Sequence, residues 1–176
     1  MASVVRRSST KLSDWVTLVE RDVRFTEEDG PNLFHSLRQA DYVSVLGLTA
    51  DGFIPVVRQF RPALERETLE LPGGLRDGDE APEAAALREL IEETGYRAED
   101  GLQSLGCLDP DTGRLENHMW CFFAPNIRRL DDWQPEATVH AELMSEKELK
   151  AAVADGRINH ALHVALIGIA LARGLL

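Results

Sequence analysis

Apolar and polar positions alternate through much of the first two-thirds of the chain, as is typical of β-strands. Residues 14–25, 42–48 and 53–60 are rich in the β-branched and aromatic side chains that suit a pleated sheet. The Asp51-Gly52 pair separates the last two of these segments and predicts a tight turn, so we expect the two strands to form a β-hairpin. Shorter strands are predicted over residues 68–71, 102–108 and 118–124.

Helical patterns interrupt and then close this series of strands. Residues 81–94 are mainly helix formers, with Pro82 in the first turn and Gly95 placed as the terminator. Ser145 and Glu148 have the spacing of a capping box and predict that a second helix begins there. Asn159 is the predicted cap of a last, largely apolar helix. Strands with one inserted helix, followed by two helices, indicate an α+β fold or mixed-sheet sandwich and not repeated βαβ units.

Length and composition restrict the classes of protein to consider. The chain has 176 residues, the length of one domain, and we expect a flexible arm over residues 1–12 and a single domain over 13–176. The formal net charge of −11 argues against a nucleic-acid partner. Cys107 and Cys121 form no disulfide or metal pattern and are expected to be reduced core residues. No apolar segment has the length of a membrane span or a signal peptide, which predicts a cytoplasmic protein.

The first of the predicted helices carries the informative chemistry. On a helical wheel, Glu89, Glu92 and Glu93 share one face, and carboxylates so close repel each other by about 0.2–0.5 kcal/mol per pair. Such hard oxygen ligands are what Mg²⁺ or Mn²⁺ requires, and a carbonyl of the preceding glycine turn could add another. An acidic face exposed to water is the alternative interpretation. The apolar residues expected to be buried lie on the opposite face: Ala84, Leu87 and Ile91.

The wider spacing decides between these interpretations. It consists of Gly74, Glu80, Arg88, Glu89, Glu92, Glu93 and Gly95, with apolar Leu90 and Tyr96 between and after them. These residues match the Nudix box at every fixed position. The chain therefore resembles the Nudix hydrolases. The resemblance implies an α/β/α sandwich around a central mixed β-sheet, with the box forming a loop, a helix and a second loop. It also implies hydrolysis of a nucleoside diphosphate linked to another moiety, by attack of water on one phosphorus.

Residue roles follow from the same resemblance. It implies that the metal ligands are Glu89, Glu92, Glu93 and the carbonyl of Gly73, and that the three glutamates are catalytic. It also implies structural support of the site from Gly74, Glu80, Arg88 and Gly95.

Flanking residues resemble the branch of ADP-ribose and nucleotide-sugar pyrophosphatases. The resemblance rests on segments 56–61 and 70–74 and on Pro110 in the turn beyond the box, although Pro72-Gly73-Gly74 stands where the branch has Pro-Ala-Gly. Three residues are then candidates to bind the substrate: Arg58, Arg61 and Glu70. The two arginines could instead be the solvated edge of a strand. A late-loop glutamate of this branch takes part in catalysis, and Glu136 is the candidate, with Glu142 as the alternative.

The expected activity is metal-dependent hydrolysis of the pyrophosphate bond of ADP-ribose or a related nucleoside diphosphate sugar, with Mg²⁺ or, as a substitute, Mn²⁺. The products would be a nucleoside monophosphate and a sugar phosphate. Other Nudix substrates (a dinucleotide, a coenzyme A derivative, a nucleoside triphosphate) and a non-catalytic nucleotide-binding module remain alternatives. By resemblance we expect a homodimer formed through residues 13–40. Aromatic residues could stack on the base, although such residues are more often core: Trp15, Phe25, Phe34 and Tyr42.

Overall fold

The computed structural model describes residues 1–135 and 137–176, and these contain eleven strands and three helices. The strands are β1 (Ser3–Lys11), β2 (Thr17–Arg24), β3 (Asn32–Arg38), β4 (Tyr42–Thr49), β5 (Phe53–Arg61), β6 (Arg66–Glu70), β7 (Gly73–Leu75), β8 (Tyr96–Ala98), β9 (Gln103–Leu108), β10 (Met119–Arg129) and β11 (Val139–Ser145). The helices are α1 (Pro82–Thr94), α2 (Glu146–Ala154) and α3 (Ala161–Ala172).

The chain divides into two compact units, of which the smaller comprises residues 1–41 and 109–118. Its three strands form an antiparallel sheet in the order β1-β2-β3. Leu37 at the end of β3 bridges to Leu115. Most of residues 1–12, the segment predicted as a flexible arm, is β1, which pairs with β2 along its length. The polar residues of this segment suit a strand whose two faces are exposed.

The larger unit, residues 42–108 and 119–176, contains two sheets. The mixed sheet has the order β7-β4-β10-β8, with β9 also paired to β10, and β4 and β10 run parallel. The second sheet has the order β11-β5-β6. The predicted hairpin of β4 and β5 is wrong. The Asp51-Gly52 turn forms, but the two strands belong to different sheets, because β4 pairs with the distant β10 and β7 while β5 pairs with β11 and β6.

Side chains of the mixed sheet alternate between two hydrophobic clusters. Val43 and Val45 lie in the cluster that contains Ala85 and Leu90 of α1. Neighbouring strand residues such as Leu46 lie in the other cluster, which contains the buried side chains of α2 and α3. The mixed sheet thus has apolar side chains on both faces, with α1 on one side and the other two helices on the opposite side. This arrangement is the α/β/α sandwich that the resemblance implied.

Helix α1 buries a different face from the one predicted. Its buried residues are Ala85, Ala86, Leu90, Glu93 and Thr94, whereas Ala84 is exposed and Leu87 and Ile91 are only partly buried. The small side chains of the two alanines allow the helix backbone to approach the sheet closely. One acidic residue, Glu93, is therefore buried. The helical-wheel prediction was wrong because a ranking by hydrophobicity cannot anticipate a buried carboxylate that is hydrogen-bonded.

The capping box of α2 is confirmed, since the Ser145 side chain accepts from the Glu148 backbone N–H and the Glu148 side chain accepts from Ser145. The cap of α3 was predicted one residue too early. His160 is the N-cap, without a side-chain capping bond, and the Asn159 amide oxygen instead accepts from Arg66 at 3.4 Å. Within the described part of the chain, no helix is both long enough and apolar enough to cross a bilayer.

Candidate functional site

The guanidinium of Arg88 lies at the centre of the carboxylates on α1. Its Nη1 donates to Glu89 Oε1 at 2.7 Å and to Glu92 Oε2 at 2.9 Å. Its Nε and Nη2 donate to the two carboxylate oxygens of Glu80 at 3.3 and 3.1 Å, and Nη2 also reaches the Leu75 carbonyl at 3.2 Å. These bonds raise the pKa of Arg88, with the bond to Glu80 contributing most. One cation therefore holds three carboxylates in position.

Glu93 connects the helix to the sheet. Its carboxylate is buried, and its Oε2 accepts from the backbone N–H of Gly73 at 2.8 Å. Gly73 is in turn paired with Ser44 of β4. The preceding Pro72 carbonyl accepts from the Val45 N–H at 3.0 Å and from the Ser44 hydroxyl at 3.1 Å. The turn that enters the helix is thus held by backbone bonds of the mixed sheet.

Two glycines of the pattern are required by close contacts. A Cβ on Gly74 would lie 2.6 Å from Cδ of Glu89, so a larger residue would displace this carboxylate. Gly95 ends α1 with φ 72° and donates to the Ile91 carbonyl at 2.9 Å. A Cβ at this position would be 2.5 Å from the ring of Trp133. Both positions need glycine for steric reasons, and Gly95 also for its left-handed conformation.

The loop between β7 and α1 is closed on itself through Glu80. Arg76 donates from Nε and Nη2 to the Glu80 carbonyl at 2.9 and 2.5 Å. The Glu80 N–H donates to the Asp77 carbonyl at 2.9 Å, and the Asp77 N–H points back to Glu80 Oε2 at 3.4 Å. The bond from Arg88 is the largest cause of the lowered pKa of Glu80. Glu80 therefore stays ionised and links the loop to the helix.

Arg61, the last residue of β5, and Glu70, the last residue of β6, form a bidentate ion pair. Arg61 Nε donates to Oε1 at 2.9 Å and Nη2 donates to Oε2 at 2.6 Å. Burial raises the pKa of Glu70, but the bonds from Arg61 and Thr68 outweigh burial and lower it to about 2. The pKa of Arg61 is raised, chiefly by Glu70 and to a smaller extent by the charge of Glu93. Arg61 therefore lies within electrostatic range of α1.

The remaining predicted residues are less closely connected to the helix. Arg58 Nη2 donates to Glu142 Oε1 at 2.8 Å, across the β5–β11 ladder, and both side chains are well exposed. The alternative considered for the arginines, a strand edge, describes neither of them, because β5 is the central strand of its sheet. Glu136 lies outside the described residues.

The three N-terminal aromatic residues do not pack in a core. Trp15, Phe25 and Phe34 are each about half exposed or more, and the last two contact each other edge to face with ring centroids 5.8 Å apart. Cys107 is exposed as well, while Cys121 is buried as predicted. Tyr42 is partly buried against the cluster of α2 and α3.

Two histidines near the ion pair, His160 and His163, were not among the candidate site residues of the sequence analysis. These two histidines are three positions apart at the start of α3, and their ring centroids are 4.1 Å apart. His163 Nδ1 lies 3.8 Å from Glu70 Oε2. Spacing of three within a predicted helix was the available signal, since such residues face the same side.

The arrangement on α1 has the chemistry of a site for a hard divalent cation. Glu80, Glu89 and Glu92 all accept hydrogen bonds from the one guanidinium of Arg88, and Glu93 adds a fourth carboxylate on the same helix as Glu89 and Glu92. Clustered carboxylates with excess negative charge suit Mg²⁺ or Mn²⁺ better than softer ions. The donor set therefore fits the metal that the resemblance implied.

Comparison with known protein families finds that the NUDIX domain model matches residues 38–163. The chain is 53% identical over 90 residues to an ADP-ribose pyrophosphatase of Bacillus subtilis, an alignment covering 51% of this chain and 48% of that protein. It is 40% identical over 87 residues to an ADP-sugar pyrophosphatase of Mus musculus, covering 47% of this chain and 40% of that protein. The alignments thus span about half or less of these curated relatives.

Among solved structures, the chain is similar to one described as an ADP compounds hydrolase. The TM-score is 0.82, the sequence identity is 20%, and the alignment covers 99% of this chain and 97% of the other. At this identity the likeness shows the fold.

Proposed function

Because the chain belongs to the NUDIX domain family, we propose that it hydrolyses the pyrophosphate bond of ADP-ribose or a related nucleoside diphosphate sugar. The products are a nucleoside monophosphate and a sugar phosphate. The observation that carries the proposal is the cluster of α1 carboxylates held by Arg88 against the Gly73-Gly74 turn. The substrate class is supported by the names of the relatives from Bacillus subtilis and Mus musculus.

The proposed metal ligands are Glu89, Glu92, Glu93 and the carbonyl of Gly73. Bound there, Mg²⁺ or Mn²⁺ would neutralise diphosphate charge, polarise the phosphoryl group and lower the pKa of a bound water. Such an ion would also offset the repulsion between an anionic substrate and a chain of net charge −11.

The protein's own side chains supply orientation. Arg88 sets the carboxylate directions of Glu89 and Glu92, and the Gly73 N–H sets that of Glu93. Because these bonds are formed before substrate arrives, the ligands need little reorganisation when it binds.

Arg61 is the proposed partner of the substrate diphosphate. Its side chain is 40% exposed although it is bonded to Glu70, so part of the guanidinium is accessible. A guanidinium fixed by a buried carboxylate keeps its charge and direction for phosphate oxygens. Arg58 is a second candidate, since an exposed ion pair such as Arg58–Glu142 opens at small cost. The proposed late-loop glutamate is Glu136, with Glu142 as the alternative.

We also propose a homodimer formed through the N-terminal β-rich segment, residues 13–40. The smaller unit exposes several large apolar side chains, among them Trp15, Phe25, Leu33 and Phe34, and exposed apolar patches often mark interaction surfaces. Light scattering coupled to size exclusion should give twice the chain mass, and Trp15→Arg should shift the equilibrium toward the monomer. Because both cysteines are free, a reducing compartment such as the cytoplasm is the proposed location.

The activity is tested with a substrate panel in the presence of Mg²⁺, followed by phosphorus NMR. The panel contains ADP-ribose, other nucleotide sugars, a dinucleotide, a coenzyme A derivative and a nucleoside triphosphate. Fastest turnover of a nucleoside diphosphate sugar would support the proposal. Faster turnover of another substrate class would contradict it and assign the protein to that class. Tight binding without turnover anywhere in the panel would indicate a non-catalytic module.

Glu93→Gln separates catalysis from folding. The amide oxygen of glutamine can still accept from the Gly73 N–H, so the fold should persist while kcat falls by several orders of magnitude. Glu83→Gln is the matched control, because Glu83 is an exposed acidic residue in the first turn of the same helix. Full activity of Glu93→Gln would contradict the proposed role of this carboxylate.

A further inference from the structure

A second group of potential metal ligands lies apart from the α1 carboxylates, at the junction of β6 and the start of α3. Glu70, His160 and His163 each offer one ligand atom, and the three atoms lie within 4.8 Å of one another. Glu70 and His163 are buried and His160 is partly buried. The group thus combines a closed interior with an approach from solvent past one ring.

The hydrogen bonds of Glu70 leave one of its acceptor positions open. A carboxylate has about four acceptor positions. Oε1 accepts from Arg61 at 2.9 Å and from the Thr68 hydroxyl at 2.5 Å, and Oε2 accepts from Arg61 at 2.6 Å. The remaining position is on Oε2, the atom 3.8 Å from His163 Nδ1. That separation is too long for a hydrogen bond but suits two atoms that share one metal ion.

The two rings are in a suitable state to act as ligands. His160 Nδ1 is buried and has no hydrogen-bond partner among the described residues, and such an unpaired polar atom is costly. His163 Nδ1 accepts a bond of 3.3 Å from the Leu71 N–H, and a metal ion bound at this nitrogen would replace that bond. Burial lowers the pKa of both histidines, that of His163 to about 3. Both rings are therefore neutral near neutral pH, the form that binds metals.

We propose that Glu70, His160 and His163 bind one Zn²⁺ ion or a transition-metal ion of similar preference. Two imidazole nitrogens and one carboxylate oxygen suit Zn²⁺ and discriminate against Mg²⁺, which prefers oxygen ligands. Solvent completes the coordination on the side of His160. The Arg61 guanidinium opposes a second cation at Glu70, so the site binds more weakly than one made of histidines alone. The proposal does not depend on the hydrolytic function.

The test is titration of the full-length, chelator-treated protein with Zn²⁺ by calorimetry, in excess Mg²⁺ so that the α1 carboxylates are occupied. Wild type should bind one equivalent of Zn²⁺ and its Tm should rise with Zn²⁺ concentration. Co²⁺ in place of Zn²⁺ should give the intense visible absorption of a four- or five-coordinate site with nitrogen ligands. These readouts are independent of turnover.

His160→Gln is the informative variant, because this partly exposed N-cap makes no side-chain capping bond and its loss should leave the fold intact. Zn²⁺ affinity should fall by at least about 10-fold, the loss that even an outer partner of a metal ligand causes. His140→Gln, on the exposed side of β11, is the control for adventitious histidine binding, and Glu92→Gln is the control for the α1 carboxylates. Neither control should change Zn²⁺ binding.

Three results would overturn the proposal. They are absence of Zn²⁺ binding to folded wild type, unchanged affinity in His160→Gln, and loss of binding in Glu92→Gln. Circular dichroism of each variant shows whether it is folded before the titration is interpreted.

Discussion

Replacing Glu70 by glutamine should destabilise the protein more than replacing any exposed acidic residue. Glu70 is 1% exposed and receives two bonds from Arg61 and one from Thr68. Glutamine keeps the size of the side chain but carries no charge. Its NH₂ group would also face a hydrogen-bond donor, Arg61 or Thr68, and could not accept that bond. Arg61 is then left without its partner.

The pKa of Glu70 provides the magnitude. Its displacement from the ordinary value of 4.5 to about 2 corresponds to roughly 3 kcal/mol of folding free energy. Loss of one partner of a fully buried pair costs about 3–5 kcal/mol. Since the Arg61 side chain is 40% exposed and can turn to water, we expect a loss of about 2–3 kcal/mol near pH 7.

The sign of the pH dependence follows from the lowered pKa. A carboxyl group whose pKa is lower in the folded state stabilises the fold fully above pH 4.5, and this contribution is lost as the pH falls through about 2. Wild type and Glu70→Gln should therefore differ most near neutral pH. Their difference in unfolding free energy should shrink by about 2 kcal/mol between about pH 7 and about pH 3.

Urea unfolding followed by tryptophan fluorescence at both pH values measures this difference. Glu142→Gln is the control, because the exposed Arg58–Glu142 pair should contribute less than about 1 kcal/mol at either pH. A difference between wild type and Glu70→Gln that is below 1 kcal/mol, or that does not change with pH, would show that the bonds to Glu70 do not stabilise the fold as described.

Three further outcomes are expected. Gly74→Ala should displace the Glu89 carboxylate and lower the unfolding free energy by about 1–3 kcal/mol in urea. It should also sharply lower turnover in the phosphorus NMR assay. Wild-type stability and turnover would contradict the close contact. Ser145→Ala should cost about 1 kcal/mol by removing the capping box of α2, again in urea, and an unchanged midpoint would count against it. One thiol should react rapidly with Ellman's reagent in the native protein, and two should react in denaturant. The reason is that Cys107 is exposed, while burial raises the pKa of Cys121 to about 12. Rapid reaction of both thiols in the native protein would contradict the burial of Cys121.

Local signals in the chain predicted several elements correctly. The helix over residues 81–94, its termination at Gly95 and the capping box at Ser145 all form as expected. These features depend on residues within a few positions of one another, so short-range backbone and capping preferences are sufficient to specify them.

The candidate site was predictable for a related reason. Glu89, Glu92 and Glu93 lie within one turn of a single helix, so their proximity follows from helical geometry as soon as the helix is recognised. The box spacing then indicated supporting residues, and one of them, Arg88, contacts Glu80, Glu89 and Glu92 in the structure. Whether these residues perform the implied roles is the subject of the Glu93 experiment.

The sequence by itself therefore determined the box helix, its ends and the family resemblance, because each depends on neighbouring positions. Only the tertiary structure decided that β4 pairs with β10 and not with β5, and that Glu93 points inward to the Gly73 N–H. Only the tertiary structure also shows that Glu70 lies close to His163, although 93 positions separate them in the sequence. Strand partners and buried ionic contacts are selected by the packing of distant segments, and a local pattern of apolar residues carries no information about which distant segment arrives.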